Sequence, residues 1–337
     1  MKLTAKATMN YKPLNEKTIV ITGASSGTGR ATAIEFARHG AKLLLAARNI
    51  DALNEVEAIC RESGSLALAV QTDVTDPEAM KRLAQTATEF GGSIDVWVNN
   101  AGVLAAGDFL ETPIEIHNQV IKTNLMGYIN GAHAVLPYFK QQGYGVLINN
   151  ISVGGWFPVP LGAGYSASKF GLRGFSEALR GELHEYQHIH ICDLFPAFLD
   201  TPGIQHAANY SGKILRPAPP VYDPQDVAKA IVSAAQRPQK SIVIGSIAQV
   251  LRLSHFLFPA IARNITKKVM NIYLKNADPA PPTAGNVFQP LDYGISIHGG
   301  WNLTTSRDSR KKTLLTSLAI TGLATAIIVS RLVKNKT

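Results

Sequence analysis

The chain has 337 residues, 46% of them hydrophobic, which is enough for one large domain or for one domain with an extension. Its net charge of +9 is compatible with an anionic cofactor or an anionic membrane surface. The basic residues do not form one run interleaved with aromatic residues, which argues against nucleic-acid binding. Cys60 and Cys192 form neither a metal-ligand spacing nor a disulfide framework, so we predict two buried thiols, no metal site and a reducing compartment.

Short apolar segments and amphipathic segments alternate through the first two-thirds of the chain. Asp76 and Pro77 are typical of the cap and first turn of a helix. The alternation predicts an α/β fold, with a doubly wound parallel sheet and helices on both faces. The seven predicted strands lie at 18–22, 42–48, 66–74, 94–102, 145–152, 188–196 and 241–245. The predicted helices lie at 29–40, 50–64, 76–91 and 116–139, followed by one that carries Tyr165 and Lys169.

The two ends of the chain differ in character. Residues 1–18 are polar and the apolar run 19–21 is too short for a signal peptide, so we expect the body of the protein in the cytoplasm. Residues 313–330 carry no charge, with the basic cluster 307–312 before them. This pattern favours a C-terminal membrane anchor, and the rival interpretation is a buried helix at a subunit interface.

The pattern also changes after residue 245. Residues 247–274 mix apolar side chains such as Phe256 and Ile261 with basic ones such as Lys267 and Lys268. This stretch is predicted to be a helical extension that either lies on an anionic membrane surface or packs on the body of the protein. Residues 278–290, rich in proline, are predicted to form a loop.

A glycine-rich turn follows the first predicted strand and opens the first helix. It runs "TGASSGTGR" from Thr22 to Arg30, and such glycines let a pyrophosphate approach the backbone at a helix N-terminus. The second strand ends "AAR", with Ala47 where an acid would bind the ribose of NAD(H), and Arg48 next. A guanidinium suits a 2′-phosphate, so we expect NADP(H).

The stretch "GYSASKFG" places Tyr165 and Lys169 one helical turn apart. When a phenol and an ammonium lie side by side in a cleft without water, the positive charge stabilises the phenolate and lowers the pKa of the tyrosine. The alternative is a chance pair on a surface helix.

Together these motifs resemble those of the short-chain dehydrogenase/reductase family. The matching pieces are "TGASSGTG", Asp73 in "TDV", "NNAG", Asn124 in "KTNLMG", Ser152 in "NIS", and "YSASK". They occur in the family's order over residues 18–202. The resemblance implies a Rossmann fold of about seven strands reaching about residue 245.

The resemblance also implies catalytic roles. Tyr165 would be the general acid in reduction and the base in oxidation, and Lys169 would lower its pKa and hold the nicotinamide ribose. Ser152 would hydrogen-bond the substrate oxygen. Asn124 would hold a water that links Lys169 to solvent.

For the cofactor, the resemblance implies that Asp73 meets the adenine, that Asn100 and Gly102 flank its ribose, and that Thr201 meets the carboxamide. The cofactor-binding residues expected in this way are Thr22, Gly23, Ser25, Ser26, Gly27, Thr28, Gly29, Arg48, Asp73, Asn100, Ala101, Gly102, Tyr165, Lys169 and Thr201.

The substrate is less well encoded. The loop 199–222 should cover it, as the resemblance implies, and it carries few charges. Trp156 and Phe157 follow Ser152 and are either pocket walls or packing groups. We therefore expect a rather apolar alcohol or ketone.

The leading hypothesis is an NADP(H)-dependent carbonyl reductase or alcohol dehydrogenase, assembled as a homo-oligomer and held on a membrane by its tail. One alternative is a soluble cytoplasmic 3-oxoacyl or sugar reductase, with the tail as an oligomer contact. Another is a dinucleotide-binding redox sensor without chemistry. The predicted organisation is a catalytic domain over 1–245, a helical and loop extension over 246–310, and the anchor over 311–337.

Overall fold

A computed structural model of the chain describes residues 12–301. Within these residues, seven parallel strands form one sheet: β1 Thr18–Thr22, β2 Lys42–Ala47, β3 Ala67–Gln71, β4 Val96–Asn99, β6 Gly145–Asn150, β7 Ile189–Pro196 and β9 Ser241–Ile244. Their order is β3-β2-β1-β4-β6-β7-β9. The order reverses direction between β1 and β4, which is where doubly wound sheets bind ligands at the carboxyl edge. The predicted doubly wound parallel sheet is therefore confirmed.

Helices cover both faces of this sheet. In the described part of the chain they are α1 Gly27–Ala37, α2 Ile50–Glu62, α3 Pro77–Gly91, α4 Ile114–Ile121, α5 Gly127–Gln142, α6 Ala163–Glu182, α7 Pro224–Gln236, α8 Ser246–Leu257 and α9 Pro259–Asn276. As predicted, Asp76 caps α3: its side chain accepts a hydrogen bond from the amide of Glu78, and Pro77 lies in the first turn.

The strands are buried on both faces, as parallel sheets require. In β1, Ile19 and Ile21 pack with residues of α1, α2 and α7, whereas Val20 packs with residues of α3, α5 and α6. Successive side chains of a strand point to opposite faces, so a continuous apolar run fills both layers of the core.

The predicted helix over 116–139 differs from the structure in one respect. A π-helical segment, Lys122–Met126, separates α4 from α5, and the amide of Gly127 donates to the carbonyl of Lys122. One wide turn of this kind is common at functional sites and leaves no mark on the apolar periodicity, so the sequence did not reveal it. It lies at Asn124, whose side chain is fully buried.

A second, two-stranded parallel sheet was not predicted. It pairs β5 Ala105–Gly107 with β8 Ala208–Tyr210. Each strand has only three residues, too few for a recognisable pattern. The sheet joins the segment after β4 to the loop that was expected to cover the substrate.

After β9 the chain forms α8 and α9, and residues 277–301 then return across the body. Among residues 12–301, no helix is both long and apolar enough to cross a membrane. The predicted anchor at 313–330 and the basic cluster 307–312 lie outside the described residues, and the predicted domain boundaries stay a prediction. Cys60 and Cys192 are buried free thiols.

Candidate active site

The candidate site lies at the carboxyl edge of the sheet, where β1, β4 and β6 end side by side. The glycine-rich turn leaves β1, the "NNAG" segment leaves β4, and Ser152 follows β6 closely. Because the carboxyl ends of parallel strands share one edge, three motifs that are distant in sequence meet there.

The glycine-rich turn has the geometry of an anion cradle. Gly23 and Gly27 have φ angles of 65° and 52°, which favour glycine. A Cβ on Gly23 would stand 2.7 Å from the Cα of Ala101, and one on Gly29 would collide with the carbonyl of Gly23. The turn opens α1, whose N-terminus presents amides and a positive dipole end to a ligand. These residues fit a dinucleotide pyrophosphate.

Thr22 and Asn100 fasten this turn to β4. The Thr22 hydroxyl donates to the carbonyl of Val98 at 3.2 Å, and it accepts from the amides of Asn100 at 3.0 Å and Ala101 at 3.2 Å. The Asn100 side-chain amide donates to the carbonyls of Thr22 and Gly23 at 3.1 and 3.2 Å. Both side chains were expected to contact the cofactor. The structure instead engages them within the protein, because the turn needs partners for its backbone groups.

Ser152 and Tyr165 form the centre of the site. Ser152 has a φ of 113°, a region costly for any residue with a Cβ and often found where function demands it. Its hydroxyl accepts from the amide of Gly154 at 3.1 Å. Tyr165 is half-buried on the first turn of α6. Burial raises the pKa of Tyr165, and a hydrogen bond with Ser152 acts in the opposite direction.

Lys169 lies one turn further along α6, with only 4% of its surface exposed. Its Nζ is 5.7 Å from the centre of the Tyr165 ring and 5.2 Å from that of Tyr128. Burial lowers the pKa of Lys169 to about 7. We expected the ammonium to lower the pKa of Tyr165, but the structure gives the opposite direction. The reason is that burial outweighs the protein groups that favour the phenolate.

Asn124 lies behind these residues. Its Oδ1 accepts from the amide of Val103, and its Nδ2 donates to the carbonyl of the same residue, both at 2.8 Å. A further contact of 3.4 Å reaches the hydroxyl of Ser168. The sequence suggested that Asn124 holds a relay water. The structure bonds this side chain to the segment after β4, and its link to a relay water stays a prediction.

Tyr128 was missed by the sequence analysis. Its hydroxyl donates to the carbonyl of Asn150 at 2.8 Å, and its ring forms one wall around the Lys169 ammonium. A tyrosine four residues after Asn124 was the available signal, because both then lie on the same side of a helix.

Comparison with known proteins assigns the family. The short chain dehydrogenase family model matches residues 17–210, more than half of the chain. The chain belongs to the short-chain dehydrogenase/reductase (SDR) family. The uncharacterized oxidoreductase YxnA of Bacillus subtilis is 33% identical to this SDR over 328 residues, covering 94% of this chain and 92% of YxnA. This SDR is therefore an oxidoreductase by family.

Two solved structures of 26% identity are similar to this SDR. The alcohol dehydrogenase of the archaeon Thermococcus sibiricus, complexed with 5-hydroxy-NADP, has a TM-score of 0.60 and covers 69% of this chain and 97% of its own. An SDR of Burkholderia phymatum in complex with NAD has a TM-score of 0.63 and covers 81% and 99%. The two complexes hold different dinucleotides, 5-hydroxy-NADP in the first and NAD in the second.

The structure places the remaining expected cofactor residues of this SDR around the same edge. Ser25 and Ser26 are half-buried at the start of α1, whereas Thr28 is buried. Asp73 follows β3, and its Oδ1 accepts from the amide of Thr75 at 2.8 Å. Gly102 lies close to Asn124, because a Cβ there would stand 3.3 Å from the Asn124 Oδ1.

Arg48 and Thr201 have partners that the sequence did not suggest. The Arg48 guanidinium donates to the main-chain carbonyls of Asn286, Val287 and Phe288. The carbonyl of Thr201 accepts from the indole nitrogen of Trp301 at 3.0 Å. The expected contact of Arg48 with a 2′-phosphate therefore meets a competitor from the C-terminal segment of this SDR.

The surroundings of Tyr165 are apolar. Tyr165 and Tyr210 pack against a buried cluster formed by Val103, Ala105, Ile116, Val120, Ala208 and Val287. Trp156 instead stacks on Phe195 with ring centres 3.8 Å apart, and the Arg252 guanidinium lies 4.1 Å from its centre. Of the two alternatives for Trp156, the contacts favour a packing group.

Proposed function

We propose that this SDR is an NADP(H)-dependent oxidoreductase that interconverts a carbonyl and an alcohol on an apolar substrate. The observation that carries the proposal is the cluster of Ser152, Tyr165 and Lys169 beside the glycine-rich turn. In this cluster the hydroxyl of Ser152, whose backbone is strained, forms a hydrogen bond with the half-buried phenol of Tyr165. The buried ammonium of Lys169 lies next to that phenol.

Each residue has a role that its position supports. The dinucleotide, held by the glycine-rich turn and α1, supplies the hydride when bound. Tyr165 gives its phenolic proton to the carbonyl oxygen in reduction and takes it back in oxidation. Ser152 orients that oxygen by a hydrogen bond. Lys169, with a pKa near 7, stabilises the phenolate and passes protons at working pH.

Arg48 supports a preference for NADP(H). Ala47, at the end of β2, stands where NAD(H)-dependent enzymes carry a carboxylate, and the guanidinium of Arg48 comes directly after it. A guanidinium binds a phosphate through charge-assisted hydrogen bonds. The buried aliphatic cluster against Tyr165 supports an apolar substrate, because charged groups would lose their hydration there.

The test compares Tyr165→Phe with wild type on a panel of apolar ketones with NADPH. Loss of the acid should reduce turnover about 10²- to 10⁴-fold while NADPH binding stays within a factor of two or so. Tyr210→Phe is the matched control, because Tyr210 packs against the same cluster. Equal activity of Tyr165→Phe and Tyr210→Phe would contradict the proposal, and unreactive wild type that binds NADPH would favour the redox sensor.

We also propose that the face of α8 and α9 that points away from the body lies on an anionic membrane surface. Leu253, Phe256 and Ile272 are 58%, 80% and 65% exposed. The two helices carry five lysines and arginines and no acidic residue. Exposed apolar side chains among cations favour the boundary of an anionic bilayer.

Vesicle sedimentation of the full chain tests this surface. The double variant Lys267→Gln with Lys268→Gln should bind phosphatidylglycerol-containing vesicles about thirtyfold more weakly, since each of the two cations contributes about 1 kcal/mol near the surface. Binding to neutral phosphatidylcholine should not change. Lys81→Gln with Lys229→Gln removes the same charge from α3 and α7 as a control. If the variant with Lys267→Gln and Lys268→Gln bound the phosphatidylglycerol-containing vesicles as well as wild type does, α9 would not contact the membrane through these lysines and the proposal would be contradicted.

A further inference from the structure

Residues 285–301, called the strap below, cross the carboxyl edge of the sheet in front of the glycine-rich turn. The strap has no helix or strand of its own, yet its main chain is firmly bonded to the body. Arg48 donates to the carbonyls of Asn286 at 2.6 Å and Phe288 at 3.0 Å, and the amide of Gly27 donates to that of Ser296 at 2.9 Å. Within the described residues, the strap carbonyls that accept from the body are those of Asn286, Val287, Phe288, Leu291, Tyr293, Ile295, Ser296 and Gly299.

The strap is anchored at both ends on the segment that follows β7. The amide of Asn286 donates to the carbonyl of His206 at 2.8 Å. At the other end, the amide of Trp301 donates to the carboxylate of Asp200 at 2.8 Å, and its indole nitrogen donates to the carbonyl of Thr201. The strap therefore spans the groove from the substrate-side segment to the end of β2 and back.

Glycines let the strap lie directly on the body. Gly294 has a φ of 65°, and a Cβ there would collide with the ring nitrogen Nε2 of His206. A Cβ on Gly285 would stand 2.6 Å from the carbonyl carbon of Ala207, and one on Gly299 would stand 2.7 Å from that of Thr201. The strap main chain lies against the main chain of the body at Gly285 and Gly299 and against the His206 ring at Gly294, which indicates a fitted segment rather than a loose one.

The donors that the strap uses are those that a dinucleotide needs. The amide of Gly27 has a single hydrogen, and it belongs to the turn that fits a pyrophosphate. The two terminal nitrogens of Arg48 both point at strap carbonyls. Because one N–H cannot serve a carbonyl and a phosphate oxygen equally well at once, the two occupants compete.

We propose that the strap occupies the dinucleotide groove as a carbonyl-bearing substitute for the phosphates, and that the cofactor binds by displacing it. This inference rests on the proposed dinucleotide-dependent function. A phosphate oxygen is charged, so its bond to the Gly27 amide is about twice as strong as that of a neutral carbonyl, and with the Arg48 guanidinium it forms an ion pair that a carbonyl cannot form, so the dinucleotide can displace the strap.

Displacement gives the strap a part in cofactor choice. A 2′-phosphate replaces the strap carbonyls on Arg48, whereas a 2′-hydroxyl leaves the guanidinium without an equivalent partner. When NAD(H) displaces the strap, the bonds between Arg48 and the strap carbonyls are lost and no phosphate replaces them. The strap therefore increases the preference for NADP(H) beyond the effect of the direct contact between Arg48 and the phosphate.

Hydrogen exchange on the full chain, with and without saturating NADPH, tests the displacement. The amides of Asn286, Gly299 and Trp301 should exchange faster when NADPH is bound, because their bonds to the body break. Slower or unchanged exchange with NADPH bound would mean that the strap closes over the cofactor or lies clear of it, and would overturn the proposal while leaving the function intact. Absence of NADPH binding would overturn both.

Variants give an independent readout through binding constants. Gly294→Ala should loosen the strap and tighten binding of NADPH and NADH about fivefold to tenfold, because the closed state no longer reduces their apparent affinity. Gly64→Ala, at a positive φ of 86° with open space around it, is the matched control and should leave the binding constants of NADPH and NADH unchanged. If Gly294→Ala does not fold, Gly299→Ala serves the same purpose. Weaker cofactor binding in both strap variants would refute displacement.

Arg48→Ala separates the strap from direct phosphate recognition. Direct recognition alone predicts weaker NADPH binding and unchanged NADH binding. Displacement predicts weaker NADPH binding and several-fold tighter NADH binding, because the strap loses its bonds at this end. Unchanged NADH affinity would contradict the part of the strap in cofactor choice.

Discussion

Replacing Lys169 by methionine should change how the free energy of unfolding depends on pH. Lys169 is 4% exposed, and burial lowers its pKa from 10.5 to about 7. Above pH 7 the unfolded chain therefore binds the proton more tightly than the folded chain does. Stability rises with pH wherever the unfolded state holds more protons, so Lys169 makes the protein more stable as pH rises from 7 toward 10.5.

The size of the effect follows from the two pKa values. One pKa unit corresponds to about 1.4 kcal/mol, and at pH 7 the folded group is about half protonated. Between pH 7 and pH 9 the contribution of Lys169 should raise the free energy of unfolding by about 2 kcal/mol. The methionine variant keeps the packing of the side chain stem and should lose this slope.

Urea unfolding at pH 7, 8 and 9, followed by tryptophan fluorescence, measures the slope. Cys60 and Cys192, whose pKa burial raises to about 12, act in the other direction near pH 9, because their protonated forms are favoured only in the folded state. They are present in all variants and cancel in the difference. Lys229→Met is an exposed control on α7. Equal slopes of unfolding free energy against pH for Lys169→Met and wild type would contradict the lowered pKa of buried Lys169.

Further predictions concern the groups that hold the site together. Thr22→Val should lower the free energy of unfolding by about 2–4 kcal/mol, since it removes the partner of the Val98 carbonyl and of the Asn100 and Ala101 amides, whereas Thr22→Ser should recover most of it in the same urea experiment. Asn124→Ala leaves both backbone groups of Val103 unpaired and should cost a similar amount, measured by thermal unfolding. Ser152→Gly should be about 1 kcal/mol more stable than Ser152→Ala, because only glycine relieves the φ of 113°. A more stable alanine variant would show that no strain is stored at this residue.

Much of the fold could be predicted because its signals are local. Buried parallel strands are continuous apolar runs, and the glycines of the turn stand where only glycine fits the backbone. The spacing of Tyr165 and Lys169 fixed their place on one helix face. The π-helical turn at Asn124 and the three-residue strands escaped detection, because they change hydrogen bonding without changing apolar periodicity.

The sequence by itself determined the doubly wound sheet, the glycine-rich turn and the identity of the groups at the candidate site, since each depends on neighbours along the chain. Only the tertiary structure decided which partners those groups take. Asn124 is bonded to Val103, and Arg48 and Gly27 are bonded to a strap more than 230 residues away along the chain. A main-chain carbonyl is present at every residue, so no sequence pattern can reveal which carbonyls will meet a given donor. That choice depends on how the strap packs against the folded body.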